Sequence, residues 1–424
     1  MRPAEISRRK AIAATAALFA AVRTLAPAGL RAESGTAPEV RRATLGFIAL
    51  TDAAPLIVAK EKGFFAKHGM SEVEVARQAS WGATRDNLVL GSARGGIDGA
   101  HLLTPMAYLV HTGRVVQNNQ PVPMALLARL NTNGQGISVA AKHAPLAARL
   151  DASPLRRALG PESKVAMTFR GGTHDLWLRY WLAAAGIDPD RDVTTIVVPP
   201  PQMVANMRVG TMDAFCVGEP WNAQLVSMRL GYTACVTGEL WPDHPEKCFA
   251  MRADWVQEHP RAAEALTAAV IEAQRWCDDP ANTAEMCEII GRRAWLNVAP
   301  ADILARMRGE IDYGDGRRVV RREITVKFWR DHASYPFRSH DLWFLTEHVR
   351  WGVLPAELDT AKLVAEVNRE EIWRAAAARA GVPNAEVPKS TSRGRETFFD
   401  GKVFDPDDPR AWLESQAIKR LATE

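Results

Sequence analysis

Strand-like and helix-like segments alternate along this chain, and the alternation restricts its fold more than any other feature of the sequence. Residues 41–50 have the composition of a buried strand, residues 72–78 alternate apolar and polar side chains as a second strand, and residues 98–103 are a third strand. Between them, residues 54–69 and the segment from Ala83 show the apolar spacing of helices. Strand–helix–strand order of this kind predicts a parallel sheet of the doubly wound type.

The alternation starts again after the turn-forming stretch NTNGQG at 131–136. Further strand-like runs follow at 137–142, 164–169, 194–200, 213–218 and 234–238. A second unit of the same kind is therefore inserted into the first. We expect an α/β protein with two lobes, doubly wound sheets and a hinge.

The predicted lobe limits follow from these two connections. Lobe 1 takes residues 41–132 and 239–424, including a C-terminal tail that wraps around it, and lobe 2 takes residues 133–238. Ligands of such sheets bind at the carboxyl ends of strands. We therefore expect a ligand cleft between the lobes that closes by hinge motion.

The first 28 residues have the pattern of a twin-arginine export signal. The pair Arg8-Arg9 precedes an apolar run at 11–22 and an A-x-A cleavage pattern at 26–28. The run is too short to span a bilayer comfortably. No lipid-bearing cysteine follows it, so we expect a free periplasmic protein that is not lipid-anchored. The alternative is a cytoplasmic protein with a basic N-terminal helix.

The charge argues against a nucleic-acid-binding protein, and the cysteine content argues against a disulfide-stabilised one. Residues 1–28 contain five basic side chains and one acidic one, which accounts for the net charge of +4 of the whole chain. The remainder is formally neutral, and this argues against a nucleic-acid partner. The five cysteines form no C-x-x-C pair, so we expect them to be buried free thiols.

Hydrogen-bond donors recur where predicted strands end or chain connections begin. They belong to Trp81, Gln135, His174, Gly218 and Lys247. Each has an ordinary structural explanation when taken alone, as a core tryptophan, a turn residue or a solvated side chain. Together, an indole N–H, an amide, an imidazole, a backbone N–H and one ammonium suit a small monoanion.

A helix start supports the same interpretation. Gly171 and Gly172 precede the predicted helix that Thr173 and His174 begin. Glycines at this position expose backbone N–H groups to an anion, and the helix N-terminus adds partial positive charge.

Enzyme and metal signatures are not found in the sequence. There is no G-x-S-x-G, H-E-x-x-H or Walker loop, so we expect no enzyme and no cofactor. His340, Asp341, Glu347 and His348 could ligate a metal in principle. They lack a second spaced pair, so we expect structural roles for them.

From about Arg42 onward the chain resembles the nitrate- and bicarbonate-binding proteins of bacterial ABC importers, the NrtA/CmpA type. The segments that carry the resemblance include GFIALTDAAPLIVAKEKGFFAKHG, ASWGATRDNLVLG, NTNGQGISVA, FRGGTHDLWLRYWLAAAGIDP, CVGEPWNAQ and STSRGRETFFDG. The resemblance implies a periplasmic-binding-protein fold of type II. It also implies a monomer that captures nitrate or nitrite and delivers it to a membrane permease.

The resemblance also implies roles for individual residues. The nitrate binders of this family hold their ligand with a tryptophan, a glutamine, a histidine, a glycine and a lysine, which match Trp81, Gln135, His174, Gly218 and Lys247. In the bicarbonate binders the position of Lys247 is acidic and the site holds calcium. A lysine supplies the charge directly, so the resemblance implies the nitrate branch without a metal. A pocket lined only by donors would also leave the bicarbonate hydroxyl without an acceptor.

Three alternatives stay open from the sequence. The first is a nitrate sensor of a regulatory pair, whose members lack an export signal. The second is an enzyme on the same fold, such as a thiamine-precursor synthase, although the CCCFC-like cysteine cluster of that enzyme is missing. The third is a binder of bicarbonate or of an organic sulfonate.

Overall fold

Two five-stranded sheets with helices packed around them form the framework of the protein. The computed structural model describes residues 37–422. The predicted export signal therefore lies outside the described residues. The α/β class expected from the sequence is confirmed, and both sheets are mixed rather than wholly parallel.

The strands alternate with helices along the chain. In order, the strands are β1 (Arg42–Phe47), β2 (Glu72–Arg77), β3 (Gly99–Leu103), β4 (Met124–Arg129), β5 (Gln135–Ala140), β6 (Lys164–Met167), β7 (Thr194–Val197), β8 (Ala214–Gly218), β9 (Gly231–Val236), β10 (Lys247–Arg252), β11 (Glu310–Asp312), β12 (Arg318–Val320), β13 (Glu396–Thr397) and β14 (Val403–Phe404). The α-helices are α1 (Ala54–Glu61), α2 (Phe64–Lys67), α3 (Trp81–Leu90), α4 (Thr104–His111), α5 (Thr173–Ala184), α6 (Met203–Arg208), α7 (Trp221–Ser227), α8 (Thr237–Leu240), α9 (Ala253–Glu258), α10 (Pro260–Asp278), α11 (Thr283–Gly291), α12 (Pro300–Met307), α13 (Arg338–Arg350), α14 (Thr360–Val367), α15 (Glu370–Arg379) and α16 (Pro409–Ser415).

The first sheet has the strand order β2-β1-β3-β10-β4. Strand β1 runs parallel to β2 and β3, whereas β10 runs antiparallel to β3 and β4. The sequence did not predict β4 or β10. Both strands are buried along nearly their whole length, so they lack the alternation of apolar and polar side chains that marks a half-exposed strand.

The second sheet has the order β7-β6-β8-β5-β9. Strand β6 is parallel to β7 and β8, and β5 is antiparallel to β8 and β9. Strand β9 pairs with β5 at one edge of the second sheet, and the chain returns to the first sheet after it.

The chain passes between the sheets twice. It leaves the first sheet after Arg129, enters the second at Gln135, and returns between Val236 and Lys247. The first passage contains Asn133 and Gly134, with φ angles of 57° and 92°. These left-handed conformations favour asparagine and glycine, which explains the Asn-Gly pair just before β5. The strand that enters after each passage is the one that runs antiparallel to its neighbours.

One predicted helix is divided. The pattern at 54–69 indicated a single helix, but α1 ends at Glu61 and α2 begins at Phe64. Gly63 lies between them with φ of 74°, which interrupts the helical path while keeping both segments on the core.

The C-terminal tail packs on helix α5 of the second unit as well as on elements of the first unit. Trp343 of α13 stacks on Trp177 of α5 with ring centroids 4.9 Å apart, and Trp412 of α16 stacks on Tyr180 at 5.7 Å. Glu347 accepts hydrogen bonds from the indole of Trp412 at 2.7 Å and from that of Trp351 at 3.0 Å. A continuous aromatic cluster therefore connects the tail to the helix that carries His174.

Asp341 and His348, for which the sequence predicted structural roles, are buried in hydrogen-bond networks. Asp341 accepts from Arg129 Nη2 at 2.6 Å and from the Tyr108 hydroxyl at 2.8 Å. His348 Nε2 bonds to the carbonyl oxygen of Gly171 at 2.7 Å. These contacts give both residues roles in packing.

Two further observations concern the described part of the chain. All five cysteines are buried and unpaired there, as the sequence predicted. Between residues 37 and 422, no helix combines the length and apolar character that a membrane span requires.

Candidate functional site

The five residues singled out in the sequence come together where elements of both sheets begin or end. Trp81 is the first residue of α3, Gln135 begins β5, and His174 is the second residue of α5. Gly218 ends β8 and Lys247 begins β10. Each of the four side chains is at most 1% exposed. These positions follow from where the helices and strands begin and end. Helix α3, for example, begins at Trp81 because the Ser80 hydroxyl caps it by accepting from the Ala83 N–H at 3.1 Å.

Gln135 is at the centre of the cluster. Its Nε2 donates to Asp52 Oδ2 at 3.0 Å, and its Oε1 accepts from His174 Nε2 at 2.7 Å. Gly218 is the register partner of Gln135 across β5 and β8. A Cβ atom at Gly218 would lie 2.7 Å from Gln135 Oε1, so glycine is the residue that leaves the Gln135 amide in its place.

His174 is a neutral imidazole held on both sides. Burial, and then the positive charge of Lys247, keep the pKa of His174 well below its ordinary value. Its Nδ1 lies 2.6 Å from the Thr168 hydroxyl, and its Nε2 lies 4.0 Å from Glu246 Oε1. The ring therefore links the end of β6 to Gln135.

Lys247 supplies the positive charge of the site. Its Nζ donates to Asp52 Oδ2 at 2.9 Å and to Glu246 Oε1 at 2.8 Å. Burial by itself would lower the pKa of Lys247, but the two carboxylates outweigh it and the pKa is raised. The ammonium also lies 5.8 Å from the ring centroid of Trp81, within cation–π distance.

Trp81 brings an unused donor to the same place. Its indole Nε1 is buried and meets no acceptor among residues 37–422. A buried N–H without a partner is unfavourable unless a ligand accepts from it. This orphaned donor beside Lys247 is the feature of the geometry that most directly indicates a bound acceptor.

Sequence reasoning missed three residues of the site, Asp52, His101 and Glu246. Asp52 Oδ1 accepts from His101 Nε2 at 2.7 Å, and its Oδ2 accepts from both Gln135 and Lys247. Burial would raise the pKa of Asp52, but Lys247 and then His101 lower it overall, so the carboxylate is ionised. Its position between β1 and α1, in the segment TDAAPL, is the sequence signal that could have indicated it.

Glu246 is the second carboxylate. It accepts from the Thr173 hydroxyl, from Trp177 Nε1 at 2.9 Å and from Lys247. Burial raises the pKa of Glu246 in spite of these donors. The carboxylate therefore sits at the start of α5, where the helix dipole favours a negative charge.

These carboxylates correct the expectation that only donors line the site. Asp52 and Glu246 place two acceptors beside Lys247, so the argument that a bicarbonate hydroxyl would find no acceptor is wrong. The glycines before α5 also differ from expectation, because the Gly171 N–H donates to Asp175 Oδ2 at 2.7 Å. Local sequence patterns do not show that Asp52 pairs with Lys247, because the two residues are 195 positions apart.

The cluster brings together one ammonium, an amide, an imidazole and an indole, and the indole N–H of Trp81 has no acceptor among residues 37–422. Within residues 37–422, no group of three or more histidine, cysteine, aspartate or glutamate side chains is arranged to hold a metal ion. His101 and His174 are separated from one another by Asp52 and Gln135, which connect them in one hydrogen-bonded chain.

Comparison with known proteins places this geometry in a family. Residues 36–291 match the model of the NMT1-like family. Over 392 residues the chain is 58% identical to the nitrate/nitrite binding protein NrtA of Synechocystis, which covers 92% of this chain and 88% of that protein. The chain belongs to the NrtA family.

Other relatives extend the comparison. The bicarbonate-binding protein CmpA of Synechococcus elongatus is 44% identical to this NrtA-family chain over 397 residues, with 90% of this chain and 88% of CmpA covered. The crystal structure of the periplasmic nitrate-binding protein NrtA from Synechocystis matches with a TM-score of 0.89 at 58% identity, covering 90% of this chain and 100% of that one. The resemblance stated from the sequence and the two-lobed periplasmic-binding-protein fold are confirmed.

Proposed function

We propose that this protein is a periplasmic solute-binding protein of an ABC importer that captures nitrate, and nitrite as a smaller relative, at Trp81, Gln135, His174, Gly218 and Lys247. The observation that carries the proposal is the Lys247 ammonium 5.8 Å from the centroid of the Trp81 ring, whose indole N–H has no acceptor among residues 37–422. Nitrate is planar, singly charged and accepts through three oxygens, so it matches several donors converging from different elements.

The similarity to NrtA supports nitrate over bicarbonate. This chain is 58% identical to an NrtA and 44% identical to a CmpA. Lys247 adds a second argument, because a buried ammonium attracts a monoanion without the help of a metal ion. At ~4 Å and an effective dielectric of 20 this attraction is about 4 kcal/mol before desolvation and the repulsion from Asp52 and Glu246 are subtracted.

Bicarbonate is the second candidate, since Asp52 and Glu246 could accept a hydrogen bond from its hydroxyl. Titration calorimetry with nitrate, nitrite, bicarbonate with and without calcium, and taurine separates the candidates. We expect exothermic binding of nitrate in the presence of a chelator. Binding of bicarbonate with calcium and no binding of nitrate or nitrite would refute the proposal.

We also propose the route and the organisation of the protein. Residues 1–28 direct export through the twin-arginine pathway, and the mature protein is a free periplasmic monomer that docks to a membrane permease. Fractionation of cells carrying the intact chain or an Arg8-Arg9 to Lys-Lys variant tests the route. Export of the Lys-Lys variant at the wild-type level would contradict the twin-arginine route.

Lobe limits at 41–132 with 239–424, and at 133–238, complete the proposal. The sheets support this division, since β1–β4 and β10 form one sheet and β5–β9 form the other. Small-angle scattering with and without nitrate tests whether the two parts close on one another. A radius of gyration that nitrate leaves unchanged would count against hinge closure.

A further inference from the structure

The charges inside the site do not balance when a monoanion is added. Lys247 is the one ammonium at the cluster, and two buried carboxylates, Asp52 and Glu246, already bind it at 2.9 and 2.8 Å. With both carboxylates ionised, a nitrate ion beside them would place three negative charges against one positive charge in a water-poor site. Such an excess of buried charge is unfavourable, and ordinary sites relieve it by binding a proton.

The hydrogen-bond pattern fixes where the protons are. An ionised Asp52 can only accept, so Gln135 must direct its Nε2 toward Asp52 and its Oε1 toward His174. His174 Nε2 therefore carries the hydrogen that Oε1 accepts. In the neutral ring, Nδ1 is then an acceptor, and the Thr168 hydroxyl donates to it.

His174 can take a second proton without leaving a donor unsatisfied. A proton added at Nδ1 would be donated to Thr168 Oγ1, since a hydroxyl oxygen accepts as readily as it donates. The Nε2 hydrogen would stay on Gln135 Oε1, with Glu246 Oε1 a further 4.0 Å acceptor.

The other titratable groups near the site are less suited. Burial raises the pKa of Glu246, but both of its oxygens already accept, from Thr173, Trp177 and Lys247, so a proton there would displace one of these donors. His101 Nε2 bonds to Asp52, but its Nδ1 is buried and has no partner in the described part of the chain, so a second proton there would be orphaned. His244 bonds to the Pro245 carbonyl and the Thr237 hydroxyl, and neither partner is one of the five proposed ligand residues.

We propose that the protein captures its anion together with one proton from solvent, which His174 takes up at Nδ1. The inference rests on the proposed function of the site. The charged and titratable groups that face His174 from the surrounding elements are Asp52, His101, His244, Glu246 and Lys247. The complex then holds a nitrate ion and one additional proton, and that proton is on the His174 ring as an imidazolium.

The direction of the pKa shift agrees with this geometry. Burial and Lys247 lower the pKa of His174, so the ring is neutral at pH 7 before an anion is present. An anion in contact with the ring raises that pKa. Between the lower and the higher pKa, linkage makes affinity fall about tenfold for each unit of rising pH, with a plateau on either side.

Calorimetry of the intact mature protein tests the proposal. Nitrate is titrated at pH 7 in buffers of different ionisation enthalpy, and the slope of observed enthalpy against buffer enthalpy gives the protons taken up. We expect about one proton per nitrate. Binding without proton uptake would overturn this inference and leave the proposed function intact, whereas failure to bind nitrate or nitrite at all would refute both.

A variant and a spectroscopic measurement identify the group. His174→Gln should abolish proton uptake, and His143→Gln should keep it. His143 pairs with Asp213 at 2.8 Å just beyond the end of β5 opposite to Gln135, so it is a matched histidine–carboxylate control. Uptake that persists in His174→Gln would contradict the assignment.

Nitrogen NMR of the wild-type protein labelled at histidine keeps the assignment testable even if His174→Gln does not fold. On addition of nitrate, one ring should change from a neutral to an imidazolium pattern, with both nitrogens protonated. Spectra in which every ring keeps its protonation state would also overturn the proposal.

Discussion

Replacing Gly218 with alanine tests the proposed site at a single atom. The new Cβ would lie 2.7 Å from Gln135 Oε1, 3.1 Å from Leu50 Cδ2 and 3.4 Å from Asp52 Oδ2. Ordinary contact begins near ~3.5 Å, so Gln135 Oε1 has to move by about 0.8 Å. The φ angle of Gly218 is not in the left-handed region, so alanine adds no backbone strain there.

The displacement acts on both ends of the Gln135 amide. Its hydrogen bonds to His174 at 2.7 Å and to Asp52 at 3.0 Å cannot both survive a shift of that size. A hydrogen bond to a charged ligand contributes about 1.5–3 kcal/mol. Loss of the Gln135 donor should therefore weaken nitrate binding by about 10- to 150-fold.

The folded state should tolerate the change better than the site does. Overpacking of one methyl group costs about 1–3 kcal/mol, and the displaced atom is at the end of a flexible side chain. Calorimetry measures the affinity, and urea denaturation measures the free energy of unfolding of the same sample.

Gly160→Ala is the matched control. A Cβ at Gly160 meets no atom within 4 Å, and its φ is also outside the left-handed region. This variant should bind nitrate as the wild type does. If Gly218→Ala kept wild-type affinity while folding normally, the assignment of Gly218 and Gln135 to the ligand site would be refuted.

Three further predictions concern charge, packing and pH. Lys247→Met should abolish nitrate binding and lower the free energy of unfolding by about 3–5 kcal/mol, because its two carboxylate partners stay buried without a counter-charge. Its control is Lys142→Met, at a lysine that is 57% exposed. In the same urea titration this control should lower the free energy of unfolding by less than about 1 kcal/mol. Trp412→Ala should lower the free energy of unfolding by about 3–5 kcal/mol, because the stacked cluster of the tail is lost. Arg410→Ala, on the exposed side of the same helix, should change it by no more than about 0.5 kcal/mol. Equal effects of the two substitutions would contradict the packing argument. Burial lowers the pKa of His348 to about 4, so the neutral ring is favoured in the folded protein and stability falls as pH drops from 6.5 toward 4; this group should contribute ~3 kcal/mol, and the fall should be shallower in His348→Gln.

Local sequence patterns predicted strands β1–β3 and β5–β9 and several of the helices, and they singled out the five proposed ligand residues. Strands with one exposed face alternate, helices repeat apolar side chains at 3.6-residue spacing, and glycine marks turns such as that at Gly134. Because parallel strands end at the same edge, strand ends also predicted that distant donors such as Gln135 and His174 would meet.

Strands β4 and β10 needed the tertiary structure. Their burial on both faces removes the alternating pattern, and β10 is a strand because β3 and β4 accept it between them. Their identity as strands therefore depends on partners that lie far away in the chain.

The carboxylates of the site show the same division. Asp52 and Lys247 are separated by 195 positions, and nothing near either residue in sequence states that their side chains are 2.9 Å apart. The sequence by itself determined the α/β class, the family and the donors, since these depend on local periodicity and long matching motifs. Only the tertiary structure decided that two acids share the lysine, because a charge pair is set by distance in space and by exclusion of water, and neither quantity is written in neighbouring residues.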